Sequence, residues 1–123
     1  MEIIEYVQPR EIIRMGAHIS LPKGLAENSF IVAIKKHDKV VSFVYFTRFE
    51  NCVHINYSFT LPDCRRQGFS MLLRKYIIDY AISNHIHQIV SVPFENADSV
   101  SLLNTLGFVK NENNDSYVLS ICK

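Results

Sequence analysis

Three apolar runs lie close together in the middle of the chain. Residues 30–36 (FIVAIKK), 40–49 (VVSFVYFTRF) and 53–60 (VHINYSFT) are rich in branched and aromatic side chains, and polar pairs separate them. That pattern predicts three consecutive strands, with turns at His37-Asp38 and Glu50-Asn51. In the third run Val53, Ile55, Tyr57 and Phe59 alternate with His54, Asn56, Ser58 and Thr60. The alternation predicts one buried face and one polar face. From about Gly68 to Asn84 the period changes. Phe69, Leu72, Leu73, Tyr76, Ile77 and Tyr80 recur at three- and four-residue steps, which predicts a long helix.

The flanks carry weaker patterns. Ile3 to Val7 reads as a short strand. Pro9 suits a first helical position, and Ile12, Ile13 and Met15 give a one-sided stripe, so a helix is expected there. Residues 16–29 read as irregular or marginally helical. Gln88 to Pro93 predicts a strand, and Ala97 to Leu106 a short helix with Asn96 as N-cap and Gly107 as stop. Phe108 to Lys110 and Ser116 to Cys122 predict two closing strands. The order is that of an α/β (α+β) domain: a mixed sheet of about six to seven strands with helices on both faces. No repeat, low-complexity tract or linker divides the chain, so residues 1–123 are expected to form a single domain.

Composition narrows the function classes. Apolar residues make up 48% and charged residues 20%, which excludes a disordered chain. A net charge of +1 supplies no global field to draw the protein onto nucleic acid or an anionic membrane, so an anion site has to be local. The cysteines Cys52, Cys64 and Cys122 are odd in number and form no metal-ligand spacing, so neither a disulfide framework nor a bound metal is expected. The start of the chain lacks the basic and apolar regions of a signal peptide, and the apolar runs of about five residues are too short to span a membrane. The expectation is a reduced, cytoplasmic protein. A homodimer is compatible with this reading.

The chemistry concentrates in residues 58–70, SFTLPDCRRQGFS. A strand gives way to a short loop with Arg65 and Arg66, then to Gly68 at a helix start. The first N–H groups of a helix have no internal partner, and the helix dipole adds positive potential there. Gly68 lets an anion approach the backbone, and the site suits a diphosphate. A strand–helix turn with two solvated arginines has the same composition, and both readings stand at this point. GxxxxGK[ST] and GxGxxG are absent, which removes the Walker and Rossmann alternatives.

Arg65-Arg66-Gln67-Gly68-Phe69-Ser70 resembles the Gln/Arg-x-x-Gly-x-Gly/Ala signature of the GNAT (GCN5-related) N-acetyltransferases. Asn96-Ala97-Asp98-Ser99 with Leu102 through Phe108 is similar to that family's Asn-x-x-Ala-x-x-Leu-Tyr-x-x-x-Gly-Phe segment. The resemblance covers about Phe30 to Cys122. It implies an acetyl-CoA (acyl-CoA) site and N-acetyl transfer to a primary amine on a peptide, protein or small molecule. The pantetheine arm would pair with Ser58, Phe59 and Thr60. The diphosphate would lie on Arg66, Gln67, Gly68, Phe69, Ser70 and Met71, with Arg65 opening the signature. Asn96 would lie near the acyl end. Ser70 stands where the family has Gly or Ala, and its hydroxyl could reach a phosphate.

The resemblance also raises the question of proton transfer. Many members protonate the departing thiolate with a tyrosine, and that position is Leu103. Where several members carry a glutamate base, this chain has His54, an imidazole that can accept a proton near neutral pH. The alternation places His54 on a polar face with Asn56 and Ser58, which could hold a water. Glu50 is a weaker candidate base, Ser91 and its neighbours offer no carboxylate, and Glu95 fits support of a helix N-terminus. Cys64 lies in the loop without an evident partner base, and His85 and His87 lack a third metal ligand. A CoA-binding protein that has lost catalysis and serves a regulatory role is the alternative function.

Overall fold

The computed structural model describes residues 2–15, 25, 27–92 and 97–121. Its elements are β1 (Glu2–Tyr6), β2 (Ser29–Lys36), β3 (Lys39–Arg48), β4 (Cys52–Thr60), α1 (Phe69–Ser83), β5 (Gln88–Ser91), α2 (Ala97–Thr105), β6 (Val109–Lys110) and β7 (Tyr117–Ser120). The seven strands form one sheet in the order β1-β2-β3-β4-β5-β7-β6. Every neighbouring pair is antiparallel except β4 and β5. Parallel neighbours need a crossover, and α1 supplies it.

The sheet has an apolar cluster on each face. Phe69, Leu73, Ile77 and Ala81 of α1 pack on Val32, Ile34, Val44 and Phe46, with Leu103 of α2 and Phe108 in the same cluster. Val7, Ile12, Ile31, Ala33, Val40 and Phe43 form the second cluster. The hairpin between β2 and β3 turns through His37 and Asp38, both with positive φ (53° and 64°). That pairing matches the right-handed twist of the flanking strands.

Three expectations are corrected. The helix expected from Pro9 forms instead as two 3-10 turns, Pro9–Glu11 and Ile13–Met15. Glu11 reaches back to accept the Gln8 N–H at 2.8 Å, which tightens the first turn. Ile12 enters the second cluster at 1% exposure and Met15 packs half-buried against it, while Ile13 stays 76% exposed, so two residues rather than the whole stripe anchor the segment. Second, the apolar positions of β4 do not share one face. Tyr45 pairs with Tyr57 but Phe46 pairs with Ile55, which leaves Asn56 as an extra residue. Such a bulge offsets the two-residue alternation. Val53 and Ile55 therefore lie in the α1-side cluster, whereas Tyr57 and Phe59 pack against the second cluster. The third correction follows from the second: Ser58 leaves the face shared by His54 and Asn56 and turns to α1, where it meets Arg74.

Candidate active site

β4 has two sheet neighbours for only part of its length. Cys52 to Ile55 pair with Gln88 to Ser91 of β5, and β5 then ends. Among the described residues only β3 pairs with Asn56 to Thr60, so within them the β5-facing edge presents backbone groups without a strand partner. An unpaired edge of this kind is a template for another extended chain. The edge contains the expected Ser58, Phe59 and Thr60.

The chain then enters the basic loop. Pro62–Cys64 form a 3-10 turn, and Cys64 packs half-buried against the core. The Arg65 Nε donates to the Thr60 carbonyl at 3.0 Å, and its guanidinium lies 5.7 Å from the centre of the Phe59 ring. Arg65 thus closes the loop onto β4. Arg66 is exposed and its side chain has no hydrogen bond or ion pair among the described residues. Arg66 and Gly68 have φ of +64° and +82°, and Gly68 caps α1 in this left-handed conformation. A glycine is favoured there because a Cβ strains that backbone. No atom outside its neighbours lies within 4 Å of where a Cβ on Gly68 would stand.

The first backbone bond into α1 runs from the Leu72 N–H to the Gly68 carbonyl, at 3.0 Å. The N–H groups of Arg66, Gln67, Gly68, Phe69, Ser70 and Met71 donate to no acceptor among the described residues. Six donors free among the described residues, at a helix N-terminus beside an exposed arginine, form a candidate anion site. The open β4 edge runs directly into it. The fit to a ligand with an extended amide arm and a diphosphate is good on both counts.

His54 lies in the last rungs of the β4–β5 pairing, opposite Val90. The Asn56 Nδ2 donates to Thr47 Oγ1 at 2.8 Å, which turns its Oδ1 toward His54 Nδ1 at 3.0 Å. An amide oxygen only accepts, so in the neutral imidazole this contact places the proton on Nδ1 and the lone pair on Nε2. Thr47 Oγ1 also lies 3.0 Å from Ser29 Oγ, so the orienting chain runs back to β2. Tyr57 stands on the same face, and burial pushes its phenol pKa up against the lowering effect of Arg65.

Asn96 and Glu95 lie outside the described residues. Leu103 is 1% exposed in the α1-side cluster. No group of three or more metal-ligating side chains forms among the described residues, and none of their helices is long and apolar enough to cross a membrane.

Arg74 was absent from the sequence expectations. It lies on the buried stripe of α1 at 7% exposure. Its Nη1 donates to Ser70 Oγ at 2.5 Å and its Nη2 to Ser58 Oγ at 3.0 Å. Its Nε is buried without a partner. Burial pushes the guanidinium pKa down to about 10, which still leaves it charged at neutral pH. The four-residue step from Ser70 to Arg74 was visible in the sequence as a helix pair.

Comparison with known proteins places this geometry. The family model described as the acetyltransferase (GNAT) family matches residues 4–108. The ribosomal-protein-S18-alanine N-acetyltransferase from Escherichia coli superposes with a TM-score of 0.81 at 17% identity, over 100% of this chain and 96% of that one. IAA acetyltransferase from Bacillus cereus gives 0.76 at 9% identity, over 98% and 100%. The PaiA N-acetyltransferase from Thermoplasma acidophilum, determined in complex with coenzyme A, gives 0.68 at 10% identity, over 78% and 62%. No sequence among curated proteins matches the chain.

Proposed function

The chain belongs to the GNAT family of acetyltransferases, and on that premise we propose that it transfers an acyl group, most simply acetyl, from acyl-CoA to a primary amine. The observation that carries this reading is the continuity between the open β4 edge and the six free amides of Arg66 to Met71. In this reading the open edge around Phe59 offers the Ser58 backbone groups and the Thr60 N–H to the pantetheine arm, and the amides with Arg66 hold the diphosphate. Bound there, acyl-CoA would supply a thioester carbonyl for direct attack by the amine.

The attacking amine must be neutral. An amine with a pKa near 10.4 costs about 4.6 kcal/mol to deprotonate at pH 7, at roughly 1.36 kcal/mol per pH unit. His54 is the residue we assign to this proton, at Nε2 directly or through a water. The support is its place at the mouth of the opening and the Asn56 carbonyl that holds Nδ1 protonated. The E. coli neighbour is named for the alanine of a ribosomal protein, so a protein amine belongs in the acceptor panel beside small amines.

Acetyl-CoA turnover, read as thiol release across amines and peptides, tests the activity. CoA binding is tested separately by thermal unfolding, where ligand at 100 times its dissociation constant adds about 2.7 kcal/mol. Unfolding that ignores millimolar CoA would remove the acyl-CoA assignment.

A second reading, binding without efficient turnover, is favoured by Leu103. No hydroxyl stands at that position to protonate a leaving thiolate. Leu103→Tyr adds bulk to a packed site, and the expected result is a loss of about 1–3 kcal/mol of stability without a gain in rate. A faster variant would show that thiolate protonation limits the reaction.

A further inference from the structure

Arg74 is an expensive residue for a fold to carry. Its guanidinium is buried under the sheet, has no carboxylate partner among the described residues, and leaves Nε unpaired. Removing a cation from water costs several kcal/mol even after relaxation, and hydrogen bonds to two neutral hydroxyls offset only part of that. An apolar side chain on the same stripe would pack beside Leu73 and Ile77 without this cost. The fold alone therefore gives no reason for a charge here, whereas the place it occupies does. Ser58 lies on the open edge of β4 and Ser70 in the first turn of α1, and Arg74 joins them. Edge and turn are the two halves of the candidate cofactor site.

The chemistry of a serine hydroxyl adds direction. Each hydroxyl has one proton to donate and can accept hydrogen bonds on oxygen. Both serine oxygens here accept from Arg74, so each O–H is free to point away from the guanidinium. For Ser70 that proton joins the free amides of Arg66 to Met71. A charged donor behind the hydroxyl also polarises it and strengthens the bond it gives.

We infer that Arg74 is a positioning residue for the acyl donor: braced by Ser58, it orients the Ser70 hydroxyl as a donor to the diphosphate and supplies a buried counter-charge. This rests on the acyl-CoA reading of the site. The dianionic diphosphate completes a cation that the folded chain leaves undercompensated, so the charge is kept for the ligand at the expense of the ligand-free protein.

The experiment is calorimetric CoA binding together with ligand-free thermal unfolding, on wild type, Arg74→Met, Ser70→Ala and the double variant. Arg74→Met is expected to unfold at the wild-type temperature or above, and to bind CoA at least tenfold more weakly, about 1.4 kcal/mol. Ser70→Ala is expected to weaken CoA in the wild-type background and to add little once Arg74 is replaced. A mere strut would give the opposite: Arg74→Met destabilised, with its CoA affinity intact. That outcome, or fully additive losses in the cycle, overturns the inference while leaving the acyl-CoA reading in place. Wild type that binds no CoA removes that reading, and the inference with it. If Arg74→Met does not fold, Arg74→Lys decides. It keeps the charge but cannot bridge both serines, so a severalfold loss of CoA affinity is expected, and undiminished affinity overturns the role.

Discussion

The two halves of β4 contrast more sharply than any two separate elements. Cys52 to Ile55 lie between two strands, and Val53 and Ile55 are sealed in the core beneath α1. Among the described residues Asn56 to Thr60 have a strand partner on one side only, and their large side chains, Tyr57 and Phe59, pack on the other face of the sheet. The sequence alternates in the same way through both halves. A single extra residue, Asn56, reverses which face the alternation serves. The same residue holds the His54 imidazole through its side chain. One position thus separates the part of the strand that stabilises the fold from the part that opens it, and sets the candidate base at the boundary.

The largest expected effect falls at that boundary. His54→Ala should lower acyl transfer by about 10²–10⁴-fold if Nε2 takes the amine proton. CoA affinity should change little, because the amides of Arg66 to Met71 are untouched. The acid limb of the rate profile should shift or disappear with the imidazole. Wild-type turnover with an unchanged profile would return this histidine to the role of a half-buried strand residue, and would leave Glu50 or solvent to accept the proton.

The next contrast sets the closed half against the open one. Ile55→Ala should cost about 2–5 kcal/mol of stability, the range for deleting a large buried aliphatic side chain. Gly68→Val, at the far end of the open half, should cost only about 1–2 kcal/mol from the left-handed backbone at +82°. Its larger effect is on the ligand: the CoA-induced stabilisation of about 2.7 kcal/mol at 100 times the dissociation constant should be lost. Denaturant titrations with and without CoA separate the two. If Ile55→Ala loses CoA protection as completely as Gly68→Val, the halves do not divide fold from site.

The strands and α1 were legible because their periods, two and near 3.6, come from side chains that must reach the same core. Phe43, Leu73 and Ile77 declare that burial wherever they appear. The loop from Arg65 to Gly68 was legible for a different reason: glycine at a helix start is a local backbone demand. The bulge at Asn56 had no such signature. It is decided by the register between β3 and β4, and asparagine on an alternating strand reads as one more polar position. Arg74 was hidden by the opposite bias, since a charged residue on a helix is ordinarily assigned to solvent. Only the packing of α1 against β4 turns it inward. The turns after Pro9 read as a helix because proline and a short apolar stripe open both structures; of the two hydrogen bonds that hold Glu11 in the 3-10 turn, the Gln8 N–H is local but Lys35 comes from β2.

Those bonds supply the smallest predicted effect, on the face of the sheet that carries Tyr57 and Phe59. Glu11 accepts the Gln8 N–H and meets Lys35 of β2 at 3.0 Å, and Lys35 lies 3.2 Å from Glu5. The Gln8 backbone bond first, then Lys35, holds the Glu11 carboxyl pKa below its ordinary 4.5. Hydrogen bonds donated to Glu11 and then to Glu5 hold the Lys35 ammonium pKa above 10.5. The signs differ. The Glu11 contribution is complete above the carboxyl's unfolded pKa and is lost as pH falls through its lowered folded value. The Lys35 contribution is complete below the ammonium's unfolded pKa and is lost as pH rises through its raised folded value. The clamp should therefore act in full between about pH 5 and 10 and fade on either side. Glu11→Gln should lower the melting temperature within that window by only about 1–3 °C, because partly exposed pairs are screened, and by progressively less below pH 4. A melting-temperature series from pH 3 to pH 9 on both proteins checks this. An equal deficit at pH 3 would mean that Glu11 holds the turn by shape rather than by charge, and that the face behind Tyr57 and Phe59 does not depend on the clamp's ionisation.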